Sequence, residues 1–345
     1  MELRRSVLKV CILSLILLFT IPSFGAEGDI KTEKFNAGKM ITEHIGDSHE
    51  WHLFGHTSVP LPVILYSSSK GFDVFLSSKF EHGAVTYHGY KMEENKIVAE
   101  DNSSFFDLSI TKNVFSILVT MIIMLLVFIS VANAYKKTQG QAPKGLQSFV
   151  EPLILFIRDD VAKTSIGEKH YRRFMPFLLT IFFFILISNL MGLIPAFLLG
   201  GANVTGNIAV TMTLAVITFL VTTFNGKKHY WRHVVAMPGV PIGVLVLLTP
   251  IEILGVFLRP FVLMIRLFAN ITAGHIIALS FFSLIFIFGE MNTGLGLGVS
   301  VVSVAFTVFM GMMELLVAFL QAYVFTLLSS IYFGAAVEEH HEEHH

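Results

Sequence analysis

The chain has 345 residues, of which 54% are hydrophobic and 14% charged, and its mean hydropathy is +0.70. Those values exclude an ordinary soluble domain and define an integral membrane protein. The net charge of −1 says little, because charges gather in a few segments; the lone cysteine, Cys11, excludes a disulfide framework or a cysteine metal site.

The opening stretch, "MELRRSVLKVCILSLILLFTIPSFGAEG", has basic Arg4, Arg5 and Lys9, an apolar core from Val10 to Ile21, and small residues near Gly25. It predicts a signal peptide over residues 1–25, since the apolar run is too short for a spanning helix. Cys11 precedes most of that core, which argues against lipoprotein cleavage. Residues 26–107 are polar and acid-rich, and a signal peptide would place them outside the membrane. Their "HEWH" lacks the H-E-x-x-H spacing of a zinc motif, so the histidines there read as solvated or structural. "PLPVILYS" and "AVTYHGYKM" predict short strands in a small, β-containing segment.

The membrane domain is expected over residues 108–338. Between Lys112 and Lys136 run 23 uncharged residues, enough for one spanning helix. The following loop, 136–173, carries eight Lys/Arg and is cytoplasmic by the positive-inside rule. Within it, "LQSFVEPLILFIRDDVAK" fits either a helix at the membrane surface or a loop helix packed on the protein. From Phe174 to Gly226 no residue is charged, predicting two helices at about 174–199 and 207–225 around "GGANVTGN". "NGKKHYWRH" supplies a second basic cytoplasmic turn.

Between 253 and 337 the only charged residues are Arg259, Arg266, Glu290 and Glu314, and "GEMNTGLGLG" (289–298) is the one clear break. Helices over about 249–288 and 298–333 would be roughly 60 and 54 Å long at 1.5 Å per residue, against a hydrocarbon core of about 30 Å. Each must break into two spans or lie strongly tilted, and the absence of a polar loop favours tilt. The fold class is thus all-α and multi-pass, ending in two long tilted helices. Pro260 would free the Val256 carbonyl. The His/Glu-rich tail, residues 339–345, stands outside this pattern.

Charge inside a membrane costs about 2.5–3.5 kcal/mol on insertion scales, so each such residue marks a functional candidate. At about 100° per residue, Asn270 and Glu252 each fall about 40° from Arg266, and His275 about 180° away. On the last helix Glu314 and Gln321 lie about 20° apart. Arg259 fits snorkelling or a pair with Glu252; Asn270 and Gln321 alone would suit interhelical hydrogen bonds. Arg266 has no acid within a turn or two. His275 and Glu314 are titratable, hence candidates for a proton relay. No G-x-x-x-x-G-K-[ST] phosphate loop occurs.

"RPFVLMIRLFANITAGHIIAL" with "MELLVAFLQAYVFTLLSSIYF", together with "NLMGLIPA" and the later "GVP", resembles subunit a of the membrane sector of F-type ATP synthases over about residues 105–338. The resemblance implies a stator in a bacterial inner membrane that faces a rotating ring of c subunits and meets peripheral-stalk subunit b, with no cofactor, metal or nucleotide site and no nucleic-acid partner. It implies that Arg266 is the essential charge opposite the ring carboxylate. Glu314, Gln321 and His275 match the outer path, Asn270 a polar neighbour of the arginine, Glu252 the cytoplasmic exit, and Asn189 the outer access route. It further implies a cytoplasmic C-terminus. The long polar segment before residue 105 departs from the shorter family pattern. A stand-alone ion-coupled transporter could also carry intramembrane Arg, His and Glu, but should show an internal repeat, and no convincing one is present.

Overall fold

The structure is a computed structural model, and it describes residues 35–54, 57–68, 71–93, 95–101, 103–137, 142–194, 201–235, 237 and 240–338. The expected signal peptide (1–25) and the tail (339–345) lie outside the described residues.

Residues 37–111 fold outside the apolar helices. A short helix, α1 (Ala37–Ile45), precedes the hairpin β1 (Glu50–Phe54) and β2 (Thr57–Pro60). Strand β3 (Pro62–Ser67) is the centre of an antiparallel sheet, flanked by β4 (Gly71–Leu76) and β7 (Phe106–Asp107), while β5 (Tyr90–Glu93) and β6 (Lys96–Ala99) form a separate hairpin. The alternation in "PVILYS" turns Val63 and Leu65 inward, where both are fully buried against Phe80, Tyr90, Ile97 and Ala99. The strand expected over "AVTYHGYKM" covers only its last residues. His88 and Gly89 have φ of 53° and 79°, a turn that a strand cannot hold, so pairing begins at Tyr90.

Five helices are long and apolar enough to cross a membrane: α2 (Lys112–Lys137), α4 (Tyr171–Leu193), α5 (Ile208–Asn225), α7 (Ile242–Met291) and α8 (Thr293–Val337). Two shorter helices join them, α3 (Leu146–Phe156) before α4 and α6 (Lys228–Val235) before α7. Helix α3 runs on through a π-helical stretch, Ile157–Lys163, whose Ile157, Val161 and Ala162 are fully buried, so this segment is packed on the protein. Ser330 of α8 donates to the Val161 carbonyl at 3.2 Å.

Helix α4 stops earlier than expected, because Ile194 turns extended. Helix α5 starts at Ile208 because the Asn207 side chain accepts from the Ala209 amide at 3.0 Å, which caps it.

The two last helices are longer than their sequence bounds. At 50 and 45 residues they extend about 75 and 68 Å at 1.5 Å per residue. The stretch "GEMNTGLGLG" is helical except for Asn292, which is extended and whose side chain accepts from the Gly294 amide at 2.7 Å. Glycine lets so tight a hairpin close: a Cβ on Gly296 would stand 2.7 Å from the Gly289 Cα. Helix α7 also begins seven residues before the expected 249, at Ile242 after Pro241, and it continues through Pro250 and Pro260.

The main core joins α4, α7, α8 and the π-helical stretch through Leu178, Phe182, Ile185, Leu263, Leu267 and Phe333. Two belts lie at opposite ends of it. At one end, Trp51 of β1 packs with Ala202 and Val204 of the α4–α5 connection and with Phe115 of α2, the two rings edge-to-face at 5.0 Å. At the other, the Lys227 amide donates to the Ala336 carbonyl at 2.9 Å, and its Nζ stands 3.4 Å from His170 Nε2.

Candidate functional site: a polar cavity between three helices

Helices α4, α7 and α8 enclose a cavity of about 70 Å³, lined by Asn189, Asn270, Gly274, His275 and Glu314 among apolar neighbours. Asn189 is buried and held from both sides: its amide nitrogen donates to the Ala318 carbonyl at 3.2 Å, and its oxygen accepts from the Thr205 hydroxyl. Thr205 belongs to the connection before α5, so the cavity wall is tied to that loop.

Small residues make room for the ionisable ones. A Cβ on Gly274 would stand 2.9 Å from Glu314 Oε1, and one on Gly192 would stand 3.7 Å from His275 Nε2. Glu314 Oε1 is buried and, among the described residues, has no hydrogen-bond partner. A buried acceptor of this kind costs about 1–3 kcal/mol when unmet, more if charged.

The antiparallel register of α7 and α8 orders the remaining residues. Phe281 stacks on Phe306 at 3.7 Å, Gly274 faces Glu314, and the Arg259 guanidinium lies 5.8 Å from the Tyr332 ring centroid. Gln321, buried on α8, therefore falls level with Arg266. Arg266 itself sits on an open face of α7 behind buried Leu263, Met264 and Leu267. Among the described residues it forms no ion pair.

Asn270, which by helical angle lies beside Arg266 and about 140° from His275, also lines the cavity with His275. The groove between α4 and α8 is wide enough to take in several successive faces of α7, Ile271 and Gly274 included. Arg259 does not pair with Glu252: it engages Tyr332, while Glu252 lies within electrostatic reach of Tyr230 near the opposite end of α7 from the cavity. The glycines at 192 and 274 and the Thr205 contact were not singled out beforehand, because a glycine in an apolar helix carries no chemical signal of its own.

Five apolar helices around an internal acid–imidazole cavity define a multi-pass membrane protein. Residues 114–334 match the family described as ATP synthase A chain, and residues 40–114 match one described as a domain of unknown function (DUF8433). ATP synthase subunit a of Chloroherpeton thalassium is 47% identical over 248 residues, 70% of this chain and 71% of its own length. ATP synthase subunit a 2 of Chlorobaculum tepidum is 46% identical, covering 69% and 66%. ATP synthase subunit a of an Anaeromyxobacter species is 35% identical over 333 residues, 93% of this chain and 76% of that one. The chain belongs to the ATP synthase A chain family.

Proposed function

We propose that the cavity of Asn189, Asn270, His275 and Glu314 is the outer half-channel of this subunit a, the proton-conducting stator of the ATP synthase membrane sector. The observation that carries the reading is the buried, unpartnered Glu314 oxygen sharing one small cavity with an imidazole. Arg266, nine residues from His275 and thus about 14 Å along α7, is the fixed charge beyond the inner end of that path. A guanidinium stays protonated at physiological pH, so it favours an ionised carboxylate opposite it. Its open face suits a carboxylate brought by a rotating ring of c subunits. Peripheral-stalk subunit b is the second partner.

Protons would reach the ring through Glu314 and His275, pass round with it, and leave on the side of Glu252. Because Arg266 stands between the two routes, a proton cannot cross without a turn of the ring. Each proton moved down 100 mV releases about 2.3 kcal/mol, which rotation captures. In this reading Gln321 lines the route level with the arginine.

Orientation follows from counting. The basic connections at 136–173 and 227–233 both fall at the Lys227–Ala336 end, whereas residues 37–111 fall at the Trp51–Ala202 end. By the positive-inside rule the first end is cytoplasmic, together with the C-terminus, and the folded N-terminal segment is outside. The test is ATP-driven proton pumping in membrane vesicles carrying Glu314→Gln, His275→Ala, or both. Losses in the single variants that the double variant does not add to support a shared path. Near wild-type pumping in both single variants would reject it.

A further inference from the structure

The segment before the first spanning helix holds an open cavity of about 1030 Å³ between α1 and the β-strands. Its lining includes Glu43, Asp47, His49 and Asp107 together with Lys39 and Lys96. His49 is only 5% exposed; its Nδ1 is 3.2 Å from the Asn95 carbonyl oxygen. Among the described residues its buried Nε2 has no hydrogen-bond partner, and it stands 3.7 Å from Asp107 Oδ2. A buried imidazole nitrogen left open toward a carboxylate at a wet cavity is placed to take up and give back protons.

The floor of this cavity is joined to the membrane helices by fixed polar contacts. Asp47 Oδ1 accepts from the amides of Ser48 at 3.0 Å and Asn113 at 3.1 Å, and its Oδ2 accepts from the Thr111 hydroxyl at 2.8 Å. The carboxylate thereby caps the start of α2. The next residue, Lys112, donates from Nζ to the His44 carbonyl at 3.1 Å, which closes the last turn of α1. Helix α1 packs against α7, and His44 and Lys112 are both within electrostatic reach of His275. Titratable groups therefore lie on both sides of the α1–α7 contact, His49 and Asp107 at the outer cavity and His275 at the half-channel, with His44 on α1 in electrostatic reach of His275.

We propose that residues 37–111 form a proton-collecting vestibule that feeds the outer half-channel through His44. This rests on the half-channel reading above and adds a role for the segment matching the domain of unknown function. The carboxylates of Glu43 and Asp107 draw protons toward the cavity, and the open His49 nitrogen is the group there that can carry one. His44 accepts one on either ring nitrogen and releases one from the other toward His275, so the imidazole ends each transfer unchanged in charge. Lys112, which donates to the His44 carbonyl and lies beside Asp47, disfavours a second positive charge on that imidazole.

The experiment uses the assembled complex in vesicles with the soluble headpiece stripped off, reading passive proton conductance. In a Cys11→Ser background, Glu43→Cys is modified from the outer side with a bulky, positively charged thiosulfonate, and Ser78→Cys, exposed elsewhere on the same domain, is the control. A several-fold fall on modifying position 43, none at position 78, and a fall in His44→Ala that His44→Gln does not restore are expected. Conductance that is present but indifferent to the label at position 43 and to loss of His44 overturns the vestibule and leaves the half-channel standing. No conductance even in the unlabelled complex overturns the half-channel reading and the vestibule with it. Labelling after assembly keeps folding defects out of the comparison.

Discussion

Gly274 stands directly across from Glu314: a methyl group added to the glycine would come 2.9 Å from the carboxylate oxygen. That closeness gives the acid its place in the cavity, and a larger side chain would take the space. Because the opposing atom is the end of a flexible side chain, Gly274→Ala is expected to be tolerated, with Glu314 shifting slightly. Gly274→Leu should fill much of a cavity of about 70 Å³. Proton pumping is expected to fall at least about tenfold, the scale of losing a positioned proton carrier, while the complex still assembles. Pumping assays on purified, quantified complex would show this.

Arg259 and Arg266 lie seven residues apart on one helix, yet their surroundings assign them different work. Arg259 is spent on the Tyr332 ring, a contact worth about 0.5–2 kcal/mol. Arg259→Ala should therefore lower thermal stability of the complex slightly and keep most of its coupled synthesis. A loss of synthesis as complete as that expected at Arg266 would show that the two positions share one function.

Trp51 ties the outer segment to the membrane helices through Phe115, Ala202 and Val204. Truncating a buried aromatic costs about 3–5 kcal/mol. Trp51→Ala is expected to expose residues 37–111 to proteolysis at lower temperature while leaving α4, α7 and α8 assembled, as limited digestion of vesicles would reveal.

His44 titrates below its ordinary value, because crowding by surrounding protein disfavours its charged form and the Lys112 ammonium adds to that. The unfolded chain then binds a proton at a pH where the folded chain does not. The stability from the neutral imidazole is complete above the ordinary histidine value of about 6.5 and is lost as pH falls toward the folded value. Nitrogen-labelled histidine spectra should place the His44 midpoint below the ordinary value, and Lys112→Ala should move it upward. A midpoint at the ordinary value would contradict the arrangement at the top of α2.

Much of this was legible beforehand for one reason: charge in an apolar helix is costly, so Arg266, His275 and Glu314 declare themselves, and long uncharged runs set the five spans. What was not legible follows from the same physics. Glycine and asparagine in "GEMNTGLGLG" are turn signals in water, but between two membrane helices they permit close approach, so α7 and α8 run on to a single-residue hinge at Asn292. That Asn270 also lines the cavity is not readable from a helical angle, which describes one helix, whereas a cavity belongs to three. Helix α1 is one short amphipathic stretch, "AGKMITEHI", among polar residues, and its packing on α7 depends on a partner far along the chain.

In the proposed function Arg266 separates two proton routes and couples them to rotation. ATP synthesis driven by an imposed proton gradient in vesicles carrying Arg266→Ala, with hydrolysis by the soluble headpiece measured beside it, tests this role. Synthesis is expected to be abolished and headpiece hydrolysis retained. Near-normal synthesis in that variant would contradict it.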